Sequence, residues 1–89
     1  MAKFHSQHET CVVFDSNWKL CLQYGAFDDD LNNPGYRFIW RDHNNAAQPY
    51  KGQSKIPSLS IARLLMEKAD REGWGNYFNS NATINGEPF

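Results

Sequence analysis

Apolar and polar residues alternate along residues 19–24, which is the pattern of a β-strand with one buried face. Leu20, Leu22 and Tyr24 fall on one side of this segment, and Lys, Cys and Gln residues fall on the other. The apolar, β-branched residues 11–15 precede it across a short polar break. Two such runs around a polar break predict a β-hairpin.

The same alternation appears in residues 36–41, where Phe38 shares one side with a tyrosine and a tryptophan. This segment predicts a third strand, because aromatic side chains favour the pleated, half-buried surface of a sheet. Residues 48–56 predict a fourth strand, antiparallel to the third. Pro49 and Gly52 interrupt its pattern, so we expect it at a sheet edge or with a bulge.

The spacing of apolar residues changes after residue 57 to the helical period. Ser58 or Ser60 can cap the start of this helix by accepting a hydrogen bond from a free backbone N–H group. Gly73 is the natural residue after its end, since glycine adopts positive φ without a Cβ clash. The apolar positions form one arc of the helical wheel: Ile61, Ala62, Leu65, Met66 and Ala69.

These elements predict a single α+β domain over residues 1–89, in the order ββββα. A mainly antiparallel sheet of about four strands would carry one amphipathic helix on one face. We expect residues 1–9 to be a loose polar lead and residues 79–89 to be a flexible tail. The chain shows no signal peptide and no apolar run long enough for a bilayer, which predicts a cytoplasmic protein.

If the apolar side of each strand faces the helix, basic residues collect on the opposite face of the sheet. The chain has a net charge of −1, so only the arrangement of the charges can indicate a partner. Five basic residues would share this face: Lys19, Arg37, Arg41, Lys51 and Lys55. We interpret them as a surface for anions or for an acidic protein partner, with nucleic acid as the alternative. A solvated face that only protects the sheet from aggregation would look the same in sequence.

Two further surfaces follow from the apolar residues. The strand at residues 11–15 is apolar on both sides, so a second copy of the chain could cover it in a homodimer. Trp18, Trp74 and Tyr77 could edge a shallow apolar groove between helix and sheet, as a small-ligand carrier or an enzyme would need.

The cysteines and histidines suggest no standard cofactor or catalytic site. His5, His8, Cys11 and Cys21 are of the types that bind zinc, but their spacing matches no known finger. In the cytoplasm both cysteines should be reduced thiols, so a disulfide across the hairpin is the less favoured alternative. We therefore predict no cofactor, no metal and no catalytic residue, which leans against an enzyme.

The central part of the chain resembles a type of small, uncharacterised bacterial protein found on mobile elements, including integron gene cassettes. The resemblance lies in residues 35–41, 52–53, 56–58 and 72–75, and covers about residues 35–75. It implies a bacterial cytoplasmic accessory protein and supplies no active-site residues. Because accessory proteins of this type often act by binding, it favours a non-enzymatic interaction role.

Overall fold

The computed structural model describes residues 2–48, 55–76, 83–84 and 87–88 of the chain. Three strands form an antiparallel sheet in the order β1-β2-β3: β1 (Phe4–Val13), β2 (Lys19–Phe27) and β3 (Gly35–Arg41). One helix, α1 (Leu59–Glu72), packs on this sheet. The α+β class and the antiparallel sheet are therefore confirmed.

The helix begins and ends where its capping residues predict. The Ser58 hydroxyl accepts a hydrogen bond from the backbone N–H of Ile61 at 3.1 Å, so Ser58, rather than Ser60, is the N-cap. Gly73 ends the helix with a φ of 67°. Among the described residues, no helix combines the length and apolar character that crossing a bilayer requires.

The first strand begins at Phe4, so the predicted loose lead over residues 1–9 is wrong. Residues 5–9 are exposed on an edge strand, so both faces can be polar and no alternation appears in the sequence. A register shift between Ser6 and His8 further disturbs the pattern. Gly25 lies opposite this irregularity, and a Cβ there would come within 2.0 Å of the His5 carbonyl oxygen.

The core lies between the helix and the central strand, as the alternation predicts. Leu20, Leu22 and Tyr24 of β2 are buried against Leu65 and Ala69 of the helix. Trp74 belongs to this core, and other apolar residues pack against it: Val12, Phe14, Phe38, Trp40, Ile56 and Ile61. The alternate side chains of β2 and β3 therefore lie on the face away from the helix.

Only the two ends of the predicted fourth strand, residue 48 and residues 55–56, fall within the described residues. Ala47 forms an isolated antiparallel bridge with Arg41, and the backbone N–H of Gln48 donates to the carbonyl of Trp40. Residues 49–54 lie outside the described residues, so the fourth strand stays a prediction.

The predicted tail contains a short pair of strands. β4 (Thr83–Ile84) and β5 (Glu87–Pro88) pair antiparallel. The remaining residues of 79–89 lie outside the described residues.

Candidate functional site

Register brings three of the predicted basic residues to the sheet face opposite the helix. Lys19 of β2 lies directly across from Arg41 of β3, and Gln23 lies across from Arg37. Glu9 of β1 lies across from Gln23 on the other side. We call Lys19, Arg37 and Arg41 the basic face.

Arg41 is neutralised within the fold by a carboxylate from the first strand. Its Nη2 and Nε donate to the two carboxylate oxygens of Glu9 at 2.8 Å and 3.0 Å, which is a bidentate ion pair. These hydrogen bonds hold the pKa of Glu9 below its ordinary value of 4.5 and raise the pKa of Arg41. Gln23 also donates from its side-chain amide to Glu9.

Arg37 is held in place but keeps hydrogen-bonding capacity. Its guanidinium carbon lies 4.0 Å from the centre of the Phe4 ring, a cation–π contact. Its Nε donates to the Gln23 side-chain oxygen at 2.7 Å. Within the part of the chain that the structure describes, its two terminal amino groups have no hydrogen-bond partner. Burial lowers the pKa of Arg37, and the nearby positive charge of Arg41 lowers it further.

Lys19 is tied to the loop after β3. Its Nζ donates to the Asn45 side-chain oxygen at 3.1 Å, and Arg41 donates to the Asn45 backbone carbonyl at the same distance. Asp42 shapes this loop, because its carboxylate accepts the backbone N–H groups of Ala46 and residue 44. Those bonds, with that of Ala46 foremost, lower the pKa of Asp42.

Of the other two predicted members of the surface, only Lys55 falls within the described residues. Lys51 lies outside the described residues. The backbone carbonyl of Lys55 accepts a hydrogen bond from the Trp40 indole at 3.2 Å, and Trp40 belongs to the helix side of the sheet.

The cysteines form a disulfide, which corrects the expectation of reduced thiols. Cys11 and Cys21 are directly opposed in the register of β1 and β2, with their Cα atoms 4.0 Å apart. The prediction of reduced thiols, which was based on a cytoplasmic location, was wrong for this structure because the hairpin register places the two side chains together on one face. The sequence spacing alone left that register open.

The two histidines that were weighed as zinc ligands do not lie beside the two cysteines. His8 stacks on Trp74 on the helix side of the sheet, with ring centres 5.2 Å apart. His5 lies near Asp28, at 3.9 Å between Nε2 and the carboxylate. Both imidazoles are therefore separated from the disulfide, which lies on the opposite face.

Of the residues named for the apolar groove, Trp18 and Trp74 lie at opposite ends of the central strand. Trp18 precedes β2, whereas Trp74 packs near Tyr24, six residues further along the strand and so about 20 Å away at roughly 3.3 Å per residue. Tyr77 lies outside the described residues.

A different groove lies between the helix and the third strand. Its volume is about 380 Å³, and Leu22, Phe38, Met66 and Ala69 supply apolar walls. Its remaining lining residues are polar, charged or aromatic: Tyr36, Arg63, Glu67, Asp70 and Asn76. The Tyr36 hydroxyl donates to the Gly75 carbonyl, and burial raises its pKa.

Comparison with protein-family models, curated proteins and solved structures found no significant match.

Sequence reasoning placed Gln23 on this face but missed Phe4 and Glu9 as parts of the site. Phe4 and Glu9 fell inside the segment that was interpreted as a loose lead. The available signal was the spacing of Glu9 and Cys11, which places them on one side of any strand extended backwards from the hairpin.

Proposed function

We propose that this protein is a non-enzymatic interaction module that binds carboxylate groups of an acidic protein partner on its basic face. The observation that supports this most directly is Arg37. Phe4 and Gln23 fix its guanidinium group, while its terminal amino groups have no partner among the described residues. A guanidinium group held in this way can donate two parallel hydrogen bonds to one carboxylate.

The charge balance around Arg37 also favours an anion. Lys19, Arg37 and Arg41 carry three positive charges, and Glu9 supplies one negative charge through its pair with Arg41. Burial is the main cause of the lowered pKa of Arg37, the positive charge of Arg41 lowers it further, and the negative charge of Glu9 acts against this effect. A bound carboxylate would relieve that repulsion and replace water at a partly buried cation.

The same surface is less well suited to single-stranded nucleic acid. Such proteins usually offer aromatic rings on which successive bases stack. The Phe4 ring is covered by the Arg37 guanidinium, and the Phe27 ring packs edge-on against Phe4 at 5.2 Å between centres. The resemblance of residues 35–75 to accessory proteins of mobile elements agrees with a binding role but not with a particular partner.

The test is binding of a labelled oligo-glutamate peptide, followed by fluorescence anisotropy at low and moderate salt. Arg37→Gln should weaken binding roughly tenfold, which corresponds to about 1.4 kcal/mol, as expected for losing charged hydrogen bonds. Arg63→Gln, which removes an exposed helix cation on the other side of the molecule, is the matched control and should bind as the wild type does.

An equal loss in both variants would show only a general charge effect and would overturn the proposal. Binding of oligo-thymidylate, but not of oligo-glutamate, would assign the face to nucleic acid instead. Failure of the wild type to bind either polyanion would remove the basic face as a docking surface.

A second candidate function is the binding of a small apolar ligand in the groove between α1 and β3. It is favoured by the volume of about 380 Å³, which falls in the range of ligand sites, and by the apolar walls. Met66→Trp should fill the groove and abolish the fluorescence enhancement of an anilinonaphthalene dye. Leu64→Trp adds the same ring at an exposed helix position that does not line the groove, and should leave dye binding unchanged.

A further inference from the structure

Three side chains that can bind a metal ion meet on the sheet face opposite the helix. A carboxylate oxygen of Glu9 and the sulfur atoms of Cys11 and Cys21 all lie within 4.8 Å of one another. We infer that the reduced form of this protein binds one zinc ion through Glu9, Cys11 and Cys21. This site is distinct from the histidine–cysteine set suggested by the sequence, and it does not depend on the proposed acidic partner.

The separation between Glu9 and Cys11 already suits a shared zinc ion. In tetrahedral sites zinc lies about 2.3 Å from sulfur and about 2.0 Å from a carboxylate oxygen, which places those two ligand atoms about 3.5 Å apart. The Cys11 sulfur lies 3.5 Å from Oε2 of Glu9. Directly opposed positions on adjacent strands bring the third ligand, Cys21, to the same point.

The carboxylate is supported in the way that metal ligands usually are. Arg41 donates two hydrogen bonds to Glu9, and Gln23 donates a third. Such outer contacts fix the orientation of a ligating carboxylate. Cys21 is fully buried and Cys11 is half-buried, so the ion would be reached from the Cys11 side, where water can take the fourth position.

Charge favours a divalent cation once the disulfide is open. Two thiolates and the Glu9 carboxylate carry three negative charges, and Arg41 supplies one positive charge. A zinc ion supplies the two that remain.

The redox step is an ordinary thiol–disulfide exchange. A dithiol reductant gives two electrons and two protons to the Cys11–Cys21 bond, and its own sulfur atoms become a disulfide. Zinc then binds the two thiols and releases their protons to solvent. A reducing cytoplasm, which the sequence predicts, would favour this reduced state.

The experiment uses cobalt(II) as a spectroscopic substitute for zinc, added without oxygen to full-length protein that was reduced with a dithiol and desalted. The reduced wild type should give the visible bands of tetrahedral cobalt and a thiolate charge-transfer band, with one ion per chain, and zinc should displace it. The oxidised protein should give none of these signals. Circular dichroism of each sample confirms that the chain stays folded.

Variants separate this site from adventitious binding. Cys11→Ser should abolish the charge-transfer band from that sulfur, and Glu9→Gln should weaken cobalt binding at least tenfold. Glu67→Gln on the helix and His8→Ala are matched controls and should bind as the wild type does. Absence of tetrahedral bands in the reduced wild type, equal binding by the disulfide form, or unchanged binding by Glu9→Gln would each overturn the inference.

Discussion

At the scale of single residues, Glu9 organises the face of the sheet opposite the helix. Its carboxylate receives hydrogen bonds from Arg41 and Gln23 and lies against the sulfur of Cys11. Gln23 links Glu9 to Arg37, because its side-chain oxygen accepts a hydrogen bond from Arg37 while its amide group donates one to Glu9. One carboxylate thus positions both the neutralised arginine and, through Gln23, the arginine that we propose binds a partner.

The lowered pKa of Glu9 makes its contribution to stability depend on pH. Because the folded pKa lies below the ordinary value of 4.5, the contribution is complete above 4.5 and is lost as the pH falls through the folded pKa. Glu9→Gln should therefore be less stable than the wild type at neutral pH, with the difference shrinking at strongly acidic pH. Urea unfolding at both pH values measures this. A difference that is independent of pH would contradict the ion pair.

At the scale of elements, the shape of the sheet depends on a close approach between β1 and β2. Gly25 lies where the register shifts, and any side chain there would meet the backbone of residues 5 and 6. Backbone cannot move aside as a flexible side chain can, so the first half of β1 would have to separate from β2. This part of β1 carries Phe4, which supports Arg37.

Gly25→Ala should therefore destabilise the fold by roughly 1–3 kcal/mol, the usual range for overpacking, and should also weaken binding at Arg37. Gly35→Ala is the matched control, since a Cβ atom at Gly35 would have open space within 4 Å. Thermal and urea unfolding of both variants test the expectation. Equal stability of the two variants would show that the close contact between Gly25 and the β1 backbone does not exclude a side chain.

The helix depends on a single capping hydroxyl. Ser58 accepts the Ile61 N–H group, while Ser60 lies inside the first turn. Ser58→Ala should lower the free energy of unfolding by about 1 kcal/mol, the typical value of an N-cap. Ser60→Ala should change it little or raise it slightly, because alanine is the better helix former. Urea denaturation compares them, and a larger loss from Ser60→Ala would place the cap elsewhere.

At the scale of the whole molecule, the sequence predicted the features that come from a regular spacing of apolar residues or from local signals. Alternation in residues 19–24 and 36–41 predicted which side chains face the helix, and the structure buries Leu20 and Leu22 there. The helix and its caps also followed from local signals that involve only neighbouring residues. These patterns place Lys19, Arg37 and Arg41 on one face without any knowledge of the partner strand.

The features that could not be predicted depend on pairing between distant residues. The polar residues of β1 look like a coil because their order comes from pairing with β2 and not from their own composition. The Cys11–Cys21 bond and the Glu9–Arg41 pair each require a register across strands. Hydrophobic spacing carries no information on which charged residues will meet.

Binding at the basic face is tested most directly by an amide NMR titration of the full chain with an oligo-glutamate peptide. We predict chemical-shift changes along β2 and β3 around Gln23 and Arg37, at Phe4 and in the Arg37 side-chain Nε–H signal, with α1 unaffected. Changes confined to α1 and the groove beside Met66, or no saturable change at all, would contradict the proposal that the basic face binds acidic partners.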